Sequence, residues 1–260
     1  MSNYCAKCDP RRSRTEGSPV DNICSPRELL IGNGHTFCFN CGRKLKAEAT
    51  PAMLIKKVSN LISWQDIAEA KKAGTLNDML AERDVVDFKM KNGNTVSVQV
   101  EKVGPYFVWF GFVDCPFEGP MYDDVQRPVS WANSDARRRL NNEHLNELPD
   151  DLVAIIQPRT IKQTVQGKEY ITEDKLWLHS MTELFGRHDW AEGDDPNEEQ
   201  LAVYASEKDR VKMIDNETRW HYTRSVYSGD SSAFCYVTAS GDATGGTAYI
   251  SGGLAPGFCI

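Results

Sequence analysis

Two CxxC pairs, Cys5-Ala6-Lys7-Cys8 and Cys38-Phe39-Asn40-Cys41, constrain the start of this chain more tightly than any other feature constrains the rest. A CxxC turn puts two thiolates on one side of a zinc ion, and two such turns complete a tetrahedron. Five of the eight cysteines, the fifth being Cys24, fall before residue 47, a crowding that reads as metal binding in a reducing compartment. The 29 residues between the pairs exceed the commonest ribbon spacing, so Cys24 and His35 stand as possible substitutes for one ligand. Four sulfur ligands leave no open coordination position, so the ion is expected to be structural. The apolar content before residue 47 is little more than Ile23, Leu29, Leu30, Ile31, Phe37 and Phe39, so metal binding has to supply the folding energy. The expectation is a zinc ribbon over residues 1–46, with Zn2+ on Cys5, Cys8, Cys38 and Cys41, followed by a linker at 47–60.

Charge separates this head from the body. Up to Ala47 there are eight Lys and Arg against four Asp and Glu; of the totals of 30 and 37, the remaining 22 and 33 lie beyond it. The net charge of −7 argues against a general nucleic-acid or membrane-surface binder, since both need a positive field. Weak nucleic-acid contact through Arg11, Arg12, Arg14, Arg43, Lys44 and Lys46 is the exception left open. The opening residues carry no secretory signal pattern, and no stretch approaches the ~20 apolar residues of a membrane span. The expected product is soluble, made in a cytosol, with no membrane partner.

In the body, residues 61–260, Ser63 is placed to cap a helix that runs to about Lys72 and ends at Gly74. Alternating apolar residues at 86–90 and 95–103 flank Asn92-Gly93, a hairpin signal, and the aromatic run 106–113 suits a buried strand. An amphipathic helix begins at Asn133 or Ser134, and a second, short one follows Pro149. Residues 162–171 and 175–179 read as strands and 181–185 as a helical turn. The acidic run 192–199 reads as a solvated loop, and residues 220–260 as short strands punctuated by Gly, Ser and Thr. Cys115, Cys235 and Cys259 sit in apolar settings and are expected in the core.

Segments 62–64, 131–142, 148–152, 174–186 and above all Trp220-His221-Tyr222-Thr223-Arg224-Ser225, Phe234-Cys235-Tyr236-Val237 and the ending Gly253-Leu254-Ala255-Pro256-Gly257-Phe258-Cys259-Ile260 resemble one group. It comprises bacterial and phage proteins with a C-type-lectin-like domain, related in fold to the sulfatase-modifying factors. The resemblance implies an α+β domain with a twisted antiparallel sheet, flanking helices and a loop-rich C-terminal face that binds ligand. Candidates on that face are Tyr222, Arg224, Tyr227, Asp230, Tyr236 and Tyr249, with Ser231 and Ser232 between them, a mixture of aromatics and small polar residues like that of antibody paratopes. Trp220 and Arg224 also fit a second role, as a buried tryptophan and its paired arginine.

The sequence departs from the enzymatic relatives. Cys235 and Cys259 are not the closely spaced pair of the sulfatase-modifying enzymes, and His144, His179, His188 and His221 form no short iron-binding motif. The set Asp195-Pro196-Asn197 with Glu198 and Glu199 only hints at a lectin calcium site. No GxSxG, P-loop or HExxH occurs. These residues point to a non-catalytic display protein with a protein or glycan ligand. The alternatives are a phage or prophage structural component, associated with a virion, and an enzyme on the sulfatase-modifying-factor-like fold.

Overall fold

The computed structural model describes residues 62–124 and 128–260. The expected ribbon, its four cysteine ligands and the linker at 47–60 lie outside the described residues.

The described chain begins with helix α1 (Trp64–Ala73). Ser63 Oγ accepts from Asp66 N at 3.1 Å and Asp66 Oδ2 accepts from Ser63 N at 2.8 Å, a reciprocal cap that satisfies two otherwise orphaned donors. Gly74, at φ 72°, closes the helix in the left-handed region, as its position in the sequence predicts. A short α2 (Leu76–Met79) follows, then β1 (Val85–Lys89), β2 (Thr95–Gly104), β3 (Phe107–Phe112) and β4 (Phe117–Gly119). Next come α3 (Asp135–Asn142), capped by Ser134, and α4 (Asp150–Val153). A hairpin, β5 (Arg159–Val165) and β6 (Lys168–Asp174), leads to α5 (Met181–Phe185) and β7 (Ala191–Glu192). The remainder is α6 (Glu207–Arg210), the hairpin of β8 (Lys212–Ile214) and β9 (Glu217–Arg219), then β10 (His221–Tyr227), β11 (Ala233–Val237), β12 (Ala243–Thr247), β13 (Gly252–Leu254) and β14 (Gly257–Cys259). The fold is therefore mixed α and β, mostly sheet, with few and short helices. Among the described residues no helix is long and apolar enough to cross a membrane.

Two sheets carry the core. The first runs β1-β2-β3-β14, antiparallel throughout; the second runs β12-β11-β10-β13-β4, with β7 also pairing to β10. Only Ala255 and Pro256 separate β13 in the second sheet from β14 in the first, so the last residues of the chain stitch the sheets together. β3 and β4 make the same crossing, since β4 pairs with β13 and β3 with β14. The other edge of β14 meets isolated bridges from Trp177 to Gly257 and from Gln157 to Cys259. The expected strand at 175–179 is thus corrected to a bend followed by a single bridge at Trp177, because the short β14 offers it few partners. Trp64 packs edge-on against Phe88, Phe110 and Phe258 and fastens α1 onto the first sheet.

One irregularity shapes the interior. The pairing of β2 with β3 shifts between Val100 and Lys102, which leaves Glu101 as the extra residue of a bulge. Its carboxylate turns inward and is only 1% exposed. Gly111 makes room for it: a Cβ added there would lie 1.8 Å from Glu101 Oε1. Gly111→Ala should therefore destabilise the fold by about 1–3 kcal/mol, the usual range for overpacking, as read by urea unfolding. Unchanged stability would show that the carboxylate can move aside.

Candidate functional site

The expected ligand face divides among three environments. Tyr222 and Tyr236 are cross-strand partners on β10 and β11 and share one face of the second sheet. Trp220 packs against both rings, at centroid distances of 5.0 and 4.9 Å. Tyr236 lies over Gly246, where an added Cβ would come within 2.8 Å of its ring. Tyr222 is buried, which raises the pKa of its hydroxyl, and its single O–H is shared between the carbonyls of Thr247 (2.7 Å) and Ile250 (2.9 Å). Tyr249 is exposed on the turn held in this way.

Tyr227 belongs elsewhere. Its ring covers Gly245, the partner of Cys235, on the face opposite Tyr236, and it packs against Trp190 at 5.8 Å. Asp230 shapes the 228–232 loop, where its Oδ1 accepts from Ser232 N (2.9 Å) and Ser232 Oγ (2.7 Å). The pairing of β10 with β11 slips between Tyr222 and Val226, so Thr223, Arg224 and Ser225 are all buried. Arg224 accordingly lies inside the protein. Trp220, half-buried, packs edge-on and tilted against the two tyrosines, so glutamates and not this tryptophan are the partners of the arginine.

Arg224 Nη1 donates to Glu183 Oε2 and to Leu178 O, each at 2.7 Å, and Nη2 donates to Glu198 Oε1. Ser180 Oγ donates to Glu198 Oε2 at 2.6 Å and accepts from Glu183 N at 3.0 Å, so the cap of α5 and the acidic loop share one hydroxyl. Glu183 Oε1 lies 2.6 Å from Arg159 Nη2 as an ion pair without hydrogen-bond geometry. Asp194 accepts from Thr182 N (2.9 Å), Thr182 Oγ1 (2.8 Å) and Ser225 Oγ. The acidic run is thus corrected from a wholly solvated loop: Asp194 and Glu198 face inward, because buried donors on α5 and β10 need acceptors.

Burial works against charge on Glu183, yet Arg159 and Arg224, with help from His179, outweigh it and hold the carboxyl well below the usual range. Burial raises Glu198 instead. Arg224 pulls it back, while Glu183 and Asp194 push it further up. Beside this set, His179 Nε2 pairs with Glu101 at 2.8 Å and the Tyr204 hydroxyl donates to the same carboxylate. Burial and the Glu101 charge hold Tyr204 well above the usual phenol range, so it stays a donor.

Cys115 and Cys235 are buried, as expected, whereas Cys259 is only half-buried. Burial pushes the Cys115 thiol up to about 12 and raises Cys235 and Cys259 as well, so all three are protonated at neutral pH and poorly nucleophilic. Burial also lowers Lys212, whose ammonium donates to Phe112 O (2.5 Å) and Val113 O (3.2 Å). Among the described residues, no group of three or more His, Cys, Asp or Glu is arranged to hold a metal ion.

Sequence reasoning missed Glu101, Arg159 and Tyr204 altogether, met His179 only in a strand and as one of four scattered histidines, and met Glu183 as a helix residue and Glu198 in the acidic run that hints at a calcium site. The one local signal was Ser180-x-x-Glu183, a capping-box pattern that marks the start of α5 and is silent about the arginines.

No curated protein and no solved structure matches the chain. One family model, domain of unknown function DUF6273, matches residues 105–260. The match takes in the bulged sheet from β3 onward, the Arg224 network and the C-terminal face. With more than half of its length inside that match, the chain belongs to the DUF6273 family.

Proposed function

We propose that the body is a non-catalytic binding and display module of C-type-lectin-like type, related in fold to the sulfatase-modifying factors, whose C-terminal loop face meets a protein or glycan. One observation carries the reading: the 248–251 turn is pinned from beneath and presents apolar groups to solvent. Ala248 N donates to Ser232 O at 3.1 Å, Ala248 O accepts from Tyr122 N at 3.0 Å, and the Tyr222 hydroxyl clamps Thr247 and Ile250. Above these anchors Tyr249 is 46% and Ile250 53% exposed. An aromatic held on a rigid turn loses little freedom on binding, so more of its contact energy appears as affinity. Tyr249 is then the contact residue, with half-buried Tyr236 on β11 as a second candidate and Asp230 shaping the neighbouring loop. Tyr222 and Arg224 act by positioning, and Tyr227 serves the opposite face. The protonated thiols favour binding over covalent chemistry.

A screen against glycan arrays and purified surface proteins should find a ligand whose capture falls about tenfold or more in Tyr249→Ala combined with Ile250→Ser, with the melting temperature unchanged. Tyr222→Phe should weaken capture less, through a looser turn. Capture that survives loss of both exposed side chains, or turnover that depends on Cys235 or Cys259, would contradict the proposal.

The head belongs to the same proposal as a ribbon with one structural Zn2+ on Cys5, Cys8, Cys38 and Cys41, supported by the two CxxC turns and the scarcity of apolar residues around them. Elemental analysis should find the metal in the purified full chain. Cys38→Ser should remove it and make the first ~46 residues protease-sensitive. Zinc content and protease resistance both unchanged would reject the four-cysteine assignment.

A further inference from the structure

Between the bulged end of β2, Arg159 of β5 and residues 197–202 lies a cavity of about 270 Å³, well apart in the sequence from the turn that presents Tyr249. Five glutamates line it, against two cations, Lys102 and Arg159, and one aromatic face, that of Trp109. The balance of the lining is therefore negative, in a concave site where low-dielectric walls strengthen the field.

Three further features give this acidity a shape. Arg159 sits in the corner between two nearly perpendicular rings, its guanidinium carbon 4.3 Å from the centroid of Trp109 and 5.0 Å from that of Trp177, and it pairs with Glu183, so this cation is held in place. Glu183, 2% exposed, holds Oε1 in an ion pair 2.6 Å from Arg159 Nη2, and Arg159 Nη1 is buried without an acceptor. Arg159 therefore leaves one donor unsatisfied beside the cleft. Finally, Lys102, exposed and the cross-strand partner of Trp109, places its ammonium 5.4 Å from the Trp109 centroid. The register brings the lysine to the ring, and the contact shows that an ammonium fits beside that face.

We propose that this cleft binds ligands carrying a primary ammonium group, which takes the place of Lys102 over Trp109 and donates to the glutamate lining, while an adjacent carbonyl or hydroxyl oxygen accepts from Arg159. Lys102 is then a built-in competitor. Glu82 and Glu199, both exposed and at the rim, contribute charge without taking part in the buried ion pairs.

The proposal is tested on the full chain by NMR titration with n-butylammonium, with Nα-acetyl-lysine amide, and with its neutral Nε-acetylated counterpart. Saturable shifts of the Trp109 indole signal are expected with at least one ammonium probe and not with the neutral one. A response to both probes assigns recognition to the ammonium alone, and a response to the lysyl probe only adds the Arg159 contact. Glu82→Gln with Glu199→Gln should weaken binding about three- to tenfold and flatten its salt dependence. Lys102→Met should tighten it about two- to fivefold, which a purely structural role for these residues would not produce. Absence of saturable shifts with both ammonium probes, equal binding of the neutral probe, or weaker or unchanged binding by Lys102→Met would overturn the proposal.

Discussion

The rest of the domain is arranged around one buried cation. Arg224 sits in the middle of β10 at 2% exposure, and a guanidinium taken out of water at such a depth is tolerable only when nearly every donor is met. Its partners come from Glu183 on α5, Glu198 on the acidic loop and the carbonyl of Leu178 ahead of α5. Satisfying one side chain therefore fixes where a helix starts and where a loop returns. Asp194 extends the same logic by binding Thr182 and Ser225, and the 193–200 loop becomes a cover on the second sheet.

The first sheet presents the mirror problem, a buried anion. A bulge directs Glu101 inward, Gly111 leaves it space, and His179 with Tyr204 satisfies it. His179 immediately precedes the Ser180 cap, and its carbonyl accepts from Arg224 N at 2.9 Å, so the two polar clusters are joined through one short segment of backbone. Both clusters contribute glutamates to the lining of the cleft with Trp109 and Arg159, whereas the turn presenting Tyr249 is held by a separate anchor, Tyr222. The two proposed recognition surfaces thereby rest on different buried residues and can be perturbed one at a time.

What the sequence revealed follows from the range of each interaction. Ser63 and Gly74 bound a helix, Asn92-Gly93 makes a hairpin and Ser134 starts a helix, because caps and turns act within a few residues. The polar clusters are not of that kind: Glu101 meets His179 across 78 positions and Arg224 meets Glu183 across 41, and no local pattern signals such pairs. Reading Arg224 with the tyrosines as one loop face placed it towards solvent, whereas β10 carries it into the interior, where the register slips after Tyr222. Exposure of Tyr249 follows from its place in a turn, and burial of Tyr222 from strand pairing that only the fold supplies. The charge run at 192–199 read as solvated because its partners, Thr182, Ser225 and Arg224, lie on elements formed elsewhere in the chain.

The most direct test of the Arg224 network is the pH dependence of unfolding free energy in the wild type and in Glu183→Gln. The folded protein holds Glu183 below its ordinary value, so folding favours the ionised carboxylate. That stabilisation is complete above the unfolded value near ~4.3 and is lost as the pH falls below it. Glu198 is held above its ordinary value and contributes with the opposite sign, while Asp66 and Asp209 are held low as well, so the part of the acid loss that Glu183→Gln removes is the signature of Glu183. At pH 7 the substitution should cost about 3–5 kcal/mol, because it leaves Arg159 and Arg224 short of charge, and the gap between the two proteins should narrow below about pH 4. A gap near zero at pH 7, or one that does not change with pH, would contradict the account.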